Sequence, residues 1–196
     1  MSKLHFNYGC VGAGKTTYLV QMNEILVHKG LNPLVIKSGI DTRENSDYGV
    51  CQISSRLLPD KKVMCYKFKH IKEIQNIINC NEHKAILVDE AQFLSKSDIL
   101  YLYNITRKKK IPVYCYGLKT DCNGDLFKGS AALLTFADKI TEIESICNVC
   151  FTNKAQMHIR LINDKVDKGK KSIVIESKNI KYLSVCSDCF NKLKGR

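Results

Sequence analysis

Residues Gly9 to Thr16 read G-C-V-G-A-G-K-T, a match to the phosphate-binding loop pattern G-x-x-x-x-G-K-[ST]. Its context constrains the chain more than its letters do. The preceding segment, Leu4-His5-Phe6-Asn7-Tyr8, alternates apolar and polar side chains as a strand does. The following one, Thr17 to Leu26, carries apolar groups at helical spacing. A glycine-rich loop between a strand and a helix belongs to α/β architecture, with the loop at the carboxyl end of the strand.

A triphosphate is a concentrated anion, so it needs several backbone N–H groups converging on it. Glycines let the chain approach without Cβ clashes, and the helix N-terminus adds unpaired donors and a positive dipole. The loop Gly9, Cys10, Val11, Gly12, Ala13, Gly14, Lys15 and Thr16 is therefore a candidate ATP site. Lys15 would reach the β- and γ-phosphates, and the Thr16 hydroxyl would face Mg²⁺.

With 196 residues the chain can bury one good core and one small appended module, not two large domains. No signal peptide is evident, because His5 and Asn7 break the first apolar stretch. No apolar run approaches the roughly 20 residues of a spanning helix. The expectation is a cytoplasmic protein without a membrane partner. Of ten cysteines, Cys10, Cys51, Cys65, Cys80, Cys115 and Cys122 are scattered singly and are expected as reduced thiols, most of them packed as small hydrophobes. The formal charge is +12, but only Arg107 to Lys110 and Lys165 to Lys171 cluster, without aromatics interleaved for base stacking. A solvated basic surface is expected rather than a nucleic-acid site.

Strand-like runs at Leu34–Ile36, Val63–Tyr66, Ala85–Asp89, Val113–Gly117 and Lys139–Ile143 alternate with helix-like segments near 16–29, 71–80, 96–109 and 129–137. That rhythm predicts a phosphate-loop type of parallel sheet with helices on both faces. After about residue 144 the composition changes to cysteine pairs, turns at Asn163-Asp164-Lys165 and Lys168-Gly169-Lys170, and a β-rich return at Ile173–Ile175. The expected division is a nucleotide-binding α/β domain over 1–143 and a small metal-binding module over 144–196.

Four apolar residues lead into Asp89-Glu90, a buried strand ending in acids. Asp89 would hold Mg²⁺ or its waters, and Glu90 could accept a proton from an attacking hydroxyl or water. Two motifs of this kind serve motors and small-molecule kinases alike. Cys147-x-x-Cys150 and Cys186-x-x-Cys189, separated by 35 residues, can present four thiolates to one structural Zn²⁺. A redox dithiol or an iron–sulfur cluster is the alternative use. The five histidines show no ligand-like grouping.

Taken together, these features resemble the type II thymidine kinases, in which a phosphate-loop core is joined to a zinc-held lasso over the nucleoside. The resemblance spans essentially the whole chain. Beyond the loop and the cysteine pairs it rests on Ile40-Asp41-Thr42-Arg43, Ser54-Ser55-Arg56, Val88-Asp89-Glu90-Ala91-Gln92-Phe93, Gly117 to Asp121 with Gly124 and Phe127, and Tyr182 to Cys186. It implies transfer of the γ-phosphoryl of ATP, with Mg²⁺, to the 5′-hydroxyl of thymidine. It further implies Glu90 as general base, Asp89 and Gln92 in the ATP site, and Asp41 and Arg43 near the phosphates and metal. Phe93, Leu118, Phe127 and Tyr182 would surround the nucleoside, and the family is commonly tetrameric. The chain departs from the family at Cys122, where an aromatic is usual, at Val11, Asn123 and Ser187, and at Glu176 to Asn179, where glycine or small residues are usual. A kinase of another deoxynucleoside is the nearest alternative. A nucleic-acid-dependent ATPase and a nucleotide-binding regulatory protein are the more distant ones.

Overall fold

Alternate residues of the central strands enter two different apolar cores, which is why these strands read as continuous apolar runs in sequence. In the computed structural model, residues 3–39, 49–79, 82–168 and 179–195 are described. Strand β1 spans Leu4–Tyr8, helix α1 Lys15–His28 and strand β2 Pro33–Ser38. Strand β3 (Gly49–Ser55) and strand β4 (Leu58–Phe68) form a hairpin, and a 3₁₀ turn at Ile71–Ile74 leads into helix α2 (Gln75–Asn79). Strand β5 (Ala85–Asp89), helix α3 (Lys96–Lys108), strand β6 (Val113–Gly117), helix α4 (Lys128–Phe136) and strand β7 (Lys139–Glu142) complete the larger layer.

These strands make one seven-stranded sheet in the order β3-β4-β2-β5-β6-β1-β7. Every pairing is parallel except β3 with β4. On one face Leu34, Ile36, Ile86, Val88, Val113 and Cys115 pack with Ile99, Leu102 and Leu133 of α3 and α4. On the other, Val35, Ala85, Leu87 and Tyr116 meet Leu19, Val20 and Leu26 of α1. The expected α/β fold with helices on both faces is present. Helix α3 opens on a capping box, in which Ser95 and Asp98 satisfy each other's backbone N–H groups. Its basic end is engaged locally: Arg107 pairs with Asp138 and lies 4.6 Å over the Tyr103 ring.

Sequence periodicity did not reveal β3. It is an edge strand in which only Cys51, Ile53 and Ser55 turn inward, and β4 begins with the exposed run Pro59 to Lys62. Pro59 is tolerated there because β2 pairs only with Tyr66 to Phe68, so the proline lies beyond the sheet interior. The hairpin also corrects the reading of the cysteines. Cys51 and Cys65 are directly opposed, with Cα atoms 5.1 Å apart, and are joined in a disulfide rather than reduced. Cys10, Cys115 and Cys122 are buried free thiols, and Cys80 lies outside the described residues.

Past the sheet, strand β8 (Met157–Ile162) pairs antiparallel with strand β9 (Lys165–Val166) and with strand β10 (Ile180–Val185), ahead of helix α5 (Ser187–Lys194). The β8–β9 turn is made by Asn163 and Asp164, both at positive φ (49° and 59°), the geometry of a tight hairpin turn. Cys147, Ile159, Val185, Cys186 and Phe190 form a separate small core. The expected return at Ile173–Ile175 lies outside the described residues. So do Glu176, Ser177 and Lys178.

Helix α4 meets the chain after β5 at backbone distance. A Cβ on Gly129 would lie 2.5 Å from the Ala91 carbonyl oxygen, 2.7 Å from that of Leu94 and 2.8 Å from that of Gln92. Gly129→Ala is therefore expected to lower the unfolding free energy by about 2–3 kcal/mol, read as a lower urea midpoint at unchanged slope.

Candidate active site

The phosphate loop emerges from the carboxyl end of β1, between β6 and β7. Its first glycine is a packing requirement, since a Cβ on Gly9 would meet the Ile143 carbonyl oxygen at 2.6 Å. Gly12 and Gly14 hold φ of 76° and 87°, conformations that other residues rarely adopt. Gly14 is the N-cap of α1, and no side chain caps that end, leaving the first-turn N–H groups to face an anion. The Lys15 ammonium donates to the Cys10 carbonyl at 2.8 Å, curling over the loop. The Thr16 hydroxyl points to Asp89 Oδ2 at 3.5 Å. A hydroxyl and a carboxylate converging in this way make an all-oxygen donor set that suits a hard cation such as Mg²⁺.

Asp89 is buried at the end of β5. Burial, reinforced by the neighbouring Glu90 charge, pushes its pKa up to about 7, against the pull of Lys37 and Lys15. Lys37, itself buried, stands opposite Asp89 in the β2–β5 register. Glu90 has left-handed backbone (φ 52°), which turns the chain sharply out of the strand. Its carboxylate accepts from Gln92 Nε2 at 2.6 Å, while Gln92 Oε1 accepts from the Leu118 N–H at 3.1 Å. Gln92 thus bridges the β5 and β6 ends.

Phe93 and Phe127 meet edge to face, ring centroids 5.7 Å apart, beside this bridge. The Leu118 carbonyl accepts from Ser130 Oγ at 2.5 Å, fixing the start of the loop before α4. Asp121 shapes that loop by accepting from the Asn123 and Asp125 N–H groups at 2.8 and 3.0 Å. Tyr182 sits on β10, in register with Arg160 of β8. Asp41 and Arg43 lie outside the described residues.

The four paired cysteines converge, with all four Sγ atoms within 4.8 Å of one another. Cys150 Sγ and Cys186 Sγ are 3.9 Å apart. A tetrahedral zinc about 2.3 Å from each sulfur would space the sulfurs about 3.8 Å apart, so the set fits a structural Zn²⁺. The Thr152 hydroxyl and nearby backbone N–H groups hold the Cys150 thiol down to about 6. Hydrogen bonding to Cys186 pushes Cys189 up to about 12. Four sulfurs at this spacing need a cation before all can ionise. The Val149 N–H and Asn153 Nδ2 support the cluster through contacts to Cys147 Sγ and Cys186 Sγ at 3.5 and 3.8 Å.

A parallel sheet with a glycine-rich loop capping its first helix, and an acid from a neighbouring strand facing that loop's threonine, defines a phosphate-loop nucleotide-binding protein. The appended four-cysteine lobe narrows the class. A family model described as thymidine kinase matches residues 2–190, and the chain belongs to that family. It is 35% identical to the thymidine kinase of Vibrio parahaemolyticus over 198 residues, covering 100% of both chains. It is 38% identical to that of Shewanella oneidensis over 195 residues, 98% of each. Identity to that of Haemophilus influenzae is also 38%, over 95% of this chain and 94% of the relative. Among the described residues no helix is long and apolar enough to cross a membrane.

Two contacts escaped the sequence. Lys37 reads there as one lysine among many, and its burial beside Asp89 has no local signal. Ser184, within the Tyr182–Cys186 run, donates from Oγ to the Val11 carbonyl at 2.5 Å and so ties the cysteine lobe to the phosphate loop.

Asp89 has a pKa raised above the ordinary 3.8, so its contribution to stability is fully present below that value and is lost as pH rises through about 7. Asp89→Asn is therefore expected to gain stability relative to the parent, on the order of 1 kcal/mol or more by pH 8, in ligand-free protein. Paired thermal melts between pH 5 and pH 8 measure it.

Proposed function

We propose that this protein is an ATP-dependent thymidine kinase, converting thymidine and ATP to dTMP and ADP. What carries the reading is Glu90, turned out of β5 one residue beyond an acid that faces the phosphate loop, in a chain matching the family along its length.

Phosphoryl transfer asks the protein mainly for positioning and charge. Backbone N–H groups of Gly9 to Gly14 and the first turn of α1 cradle the phosphates, and Lys15 draws charge toward the β- and γ-groups. Thr16 and Asp89 would hold Mg²⁺, which when bound with ATP neutralises developing phosphate charge. Glu90 takes the proton of the 5′-hydroxyl, with Gln92 fixing its carboxylate. Asp41 and Arg43 are assigned to the phosphates and metal by the family pattern. Phe93, Leu118, Phe127 and Tyr182 form the nucleoside pocket. Residues 1–143 act as the nucleotide-binding domain and 144–196 as a zinc-held lasso, with Cys147, Cys150, Cys186 and Cys189 holding Zn²⁺. The working form is a homo-oligomer, a tetramer by family analogy, in the cytoplasm where ATP is supplied.

Glu90→Gln is expected to lower kcat by about a hundredfold or more while ADP affinity changes less than about twofold. Monophosphate formation from a panel of nucleosides, with ADP titrations alongside, decides it; undiminished turnover removes Glu90 from the mechanism. Elemental analysis is expected to find one zinc per chain. Cys186→Ser should lose that metal and melt at lower temperature, and a metal-free protein of unchanged stability would contradict the zinc assignment.

A further inference from the structure

The middle of the phosphate loop has little packing of its own. One end is fixed by contact: the Ile143 N–H donates to the Tyr8 carbonyl at 2.7 Å, and the chain after β7 then lies against Gly9. The other end becomes helix at once, with the Tyr18 N–H donating to the Gly14 carbonyl at 3.0 Å. Between them, among the described residues, a Cβ on Gly12 would meet nothing within 4 Å. The Cys10 carbonyl is held from within the loop, by the Ala13 N–H at 3.2 Å and the Lys15 ammonium at 2.8 Å. The Val11 carbonyl is held from outside it, by the Ser184 hydroxyl at 2.5 Å.

Ser184 is itself firmly placed. On the β8–β10 ribbon Leu183 and Val185 pack into the cysteine-lobe core, and Ser184 between them turns to the other face, only 3% exposed. Asn148, inside the first cysteine pair, grips it on both sides. Its Oδ1 accepts from the Ser184 N–H at 2.9 Å, and its own N–H donates to the Ser184 carbonyl at 2.8 Å. The hydroxyl therefore projects from a strand fixed beside the four-sulfur cluster. A trans peptide is planar, with its C=O and N–H pointing in opposite directions. Holding the Val11 carbonyl toward the lobe thus aims the Gly12 N–H away from it, and a phosphate nest needs successive N–H groups aimed to one side. Because the acceptor is a main-chain carbonyl, the contact is indifferent to the side chain at 11, where this chain departs from its family.

We propose that Ser184 is a positioning residue for the ATP phosphates, fixing the Val11–Gly12 peptide so that its N–H faces the bound nucleotide. The inference rests on the ATP-dependent kinase reading and deepens it. A second link ties the lobe to the sheet, from Lys154 Nζ to Glu142 Oε2 at 2.7 Å, but both side chains reach water, at 36% and 24% exposure. Ion pairs open to solvent contribute little. The buried Ser184 hydroxyl therefore carries the positioning, and Lys154 provides a control for general loosening of the lobe.

The test is ADP titration and steady-state kinetics of the parent, Ser184→Ala, Ser184→Thr and Lys154→Met, with thermal melts and zinc content measured alongside. Ser184→Ala is expected to raise the ADP Kd and the KM for Mg-ATP about three- to tenfold, the scale of one hydrogen bond between uncharged groups. Its kcat and its KM for thymidine should stay within about twofold. Ser184→Thr keeps the hydroxyl and should recover most of the loss, whereas Lys154→Met should change ADP binding less than about twofold. Should Ser184→Ala not fold, Asn148→Ala loosens the grip on the strand while leaving the hydroxyl, and its ADP Kd is expected to rise. An unchanged ADP Kd in the folded variant, a loss that Ser184→Thr does not recover, or an equal loss in Lys154→Met would overturn the proposal while leaving the kinase reading intact. A parent protein that binds no ADP and phosphorylates no nucleoside would overturn both.

Discussion

Backbone-to-backbone contact at the carboxyl ends of the central strands is the constraint on which the rest of this molecule depends. A Cβ at Gly9 would strike the Ile143 carbonyl, and one at Gly117 would lie 2.7 Å from Gln92 Oε1 and 3.0 Å from Gln92 N. Gly129 closes the third contact, seating α4 on the segment after β5. Without these approaches the ends of β1, β5 and β6 would not draw together, and Gln92 could not reach Glu90 and the Leu118 N–H at once. The glycines set the distances, and the polar bonds occupy the space that results.

That convergence concentrates local costs in one place. Asp89 and Lys37 are buried charges, and Glu90 is a non-glycine residue in left-handed backbone. Each opposes folding on its own. Together they hold two carboxylates and a hydroxyl at the mouth of the sheet, where the surrounding parallel strands, buried on both faces, supply the rigidity that keeps them there. Conflict between local preference and global fold is expected where a site must be pre-organised.

The cysteine lobe solves a different problem. Its core is small, so convergence of four sulfurs takes over part of what apolar burial does elsewhere. The ribbon it anchors can then carry His158, Arg160, Tyr182 and Ser184 on its other face, with the Ile162–Ile180 pair at the far end. Ser184 docks that face on the phosphate loop, so the metal cluster and the nucleotide site are mechanically joined through one strand.

Local patterns in the chain were enough to locate the phosphate loop, the β5 acids, four of the helices and the two cysteine pairs, because each is written in residues close together or in an unmistakable spacing. Helix 71–80 was legible only in outline, and opens as a 3₁₀ turn before its α-helical part. The β3 edge strand, the Cys51–Cys65 disulfide, the burial of Lys37 beside Asp89 and the docking of Ser184 were not legible. All four depend on pairings between distant segments: a strand register, a neighbouring strand end, a lobe folded back on a loop. Sequence by itself determined which chemistry the chain carries. Tertiary structure alone decided which of those groups lose water and meet, since desolvation and contact belong to the packed whole rather than to any stretch of residues.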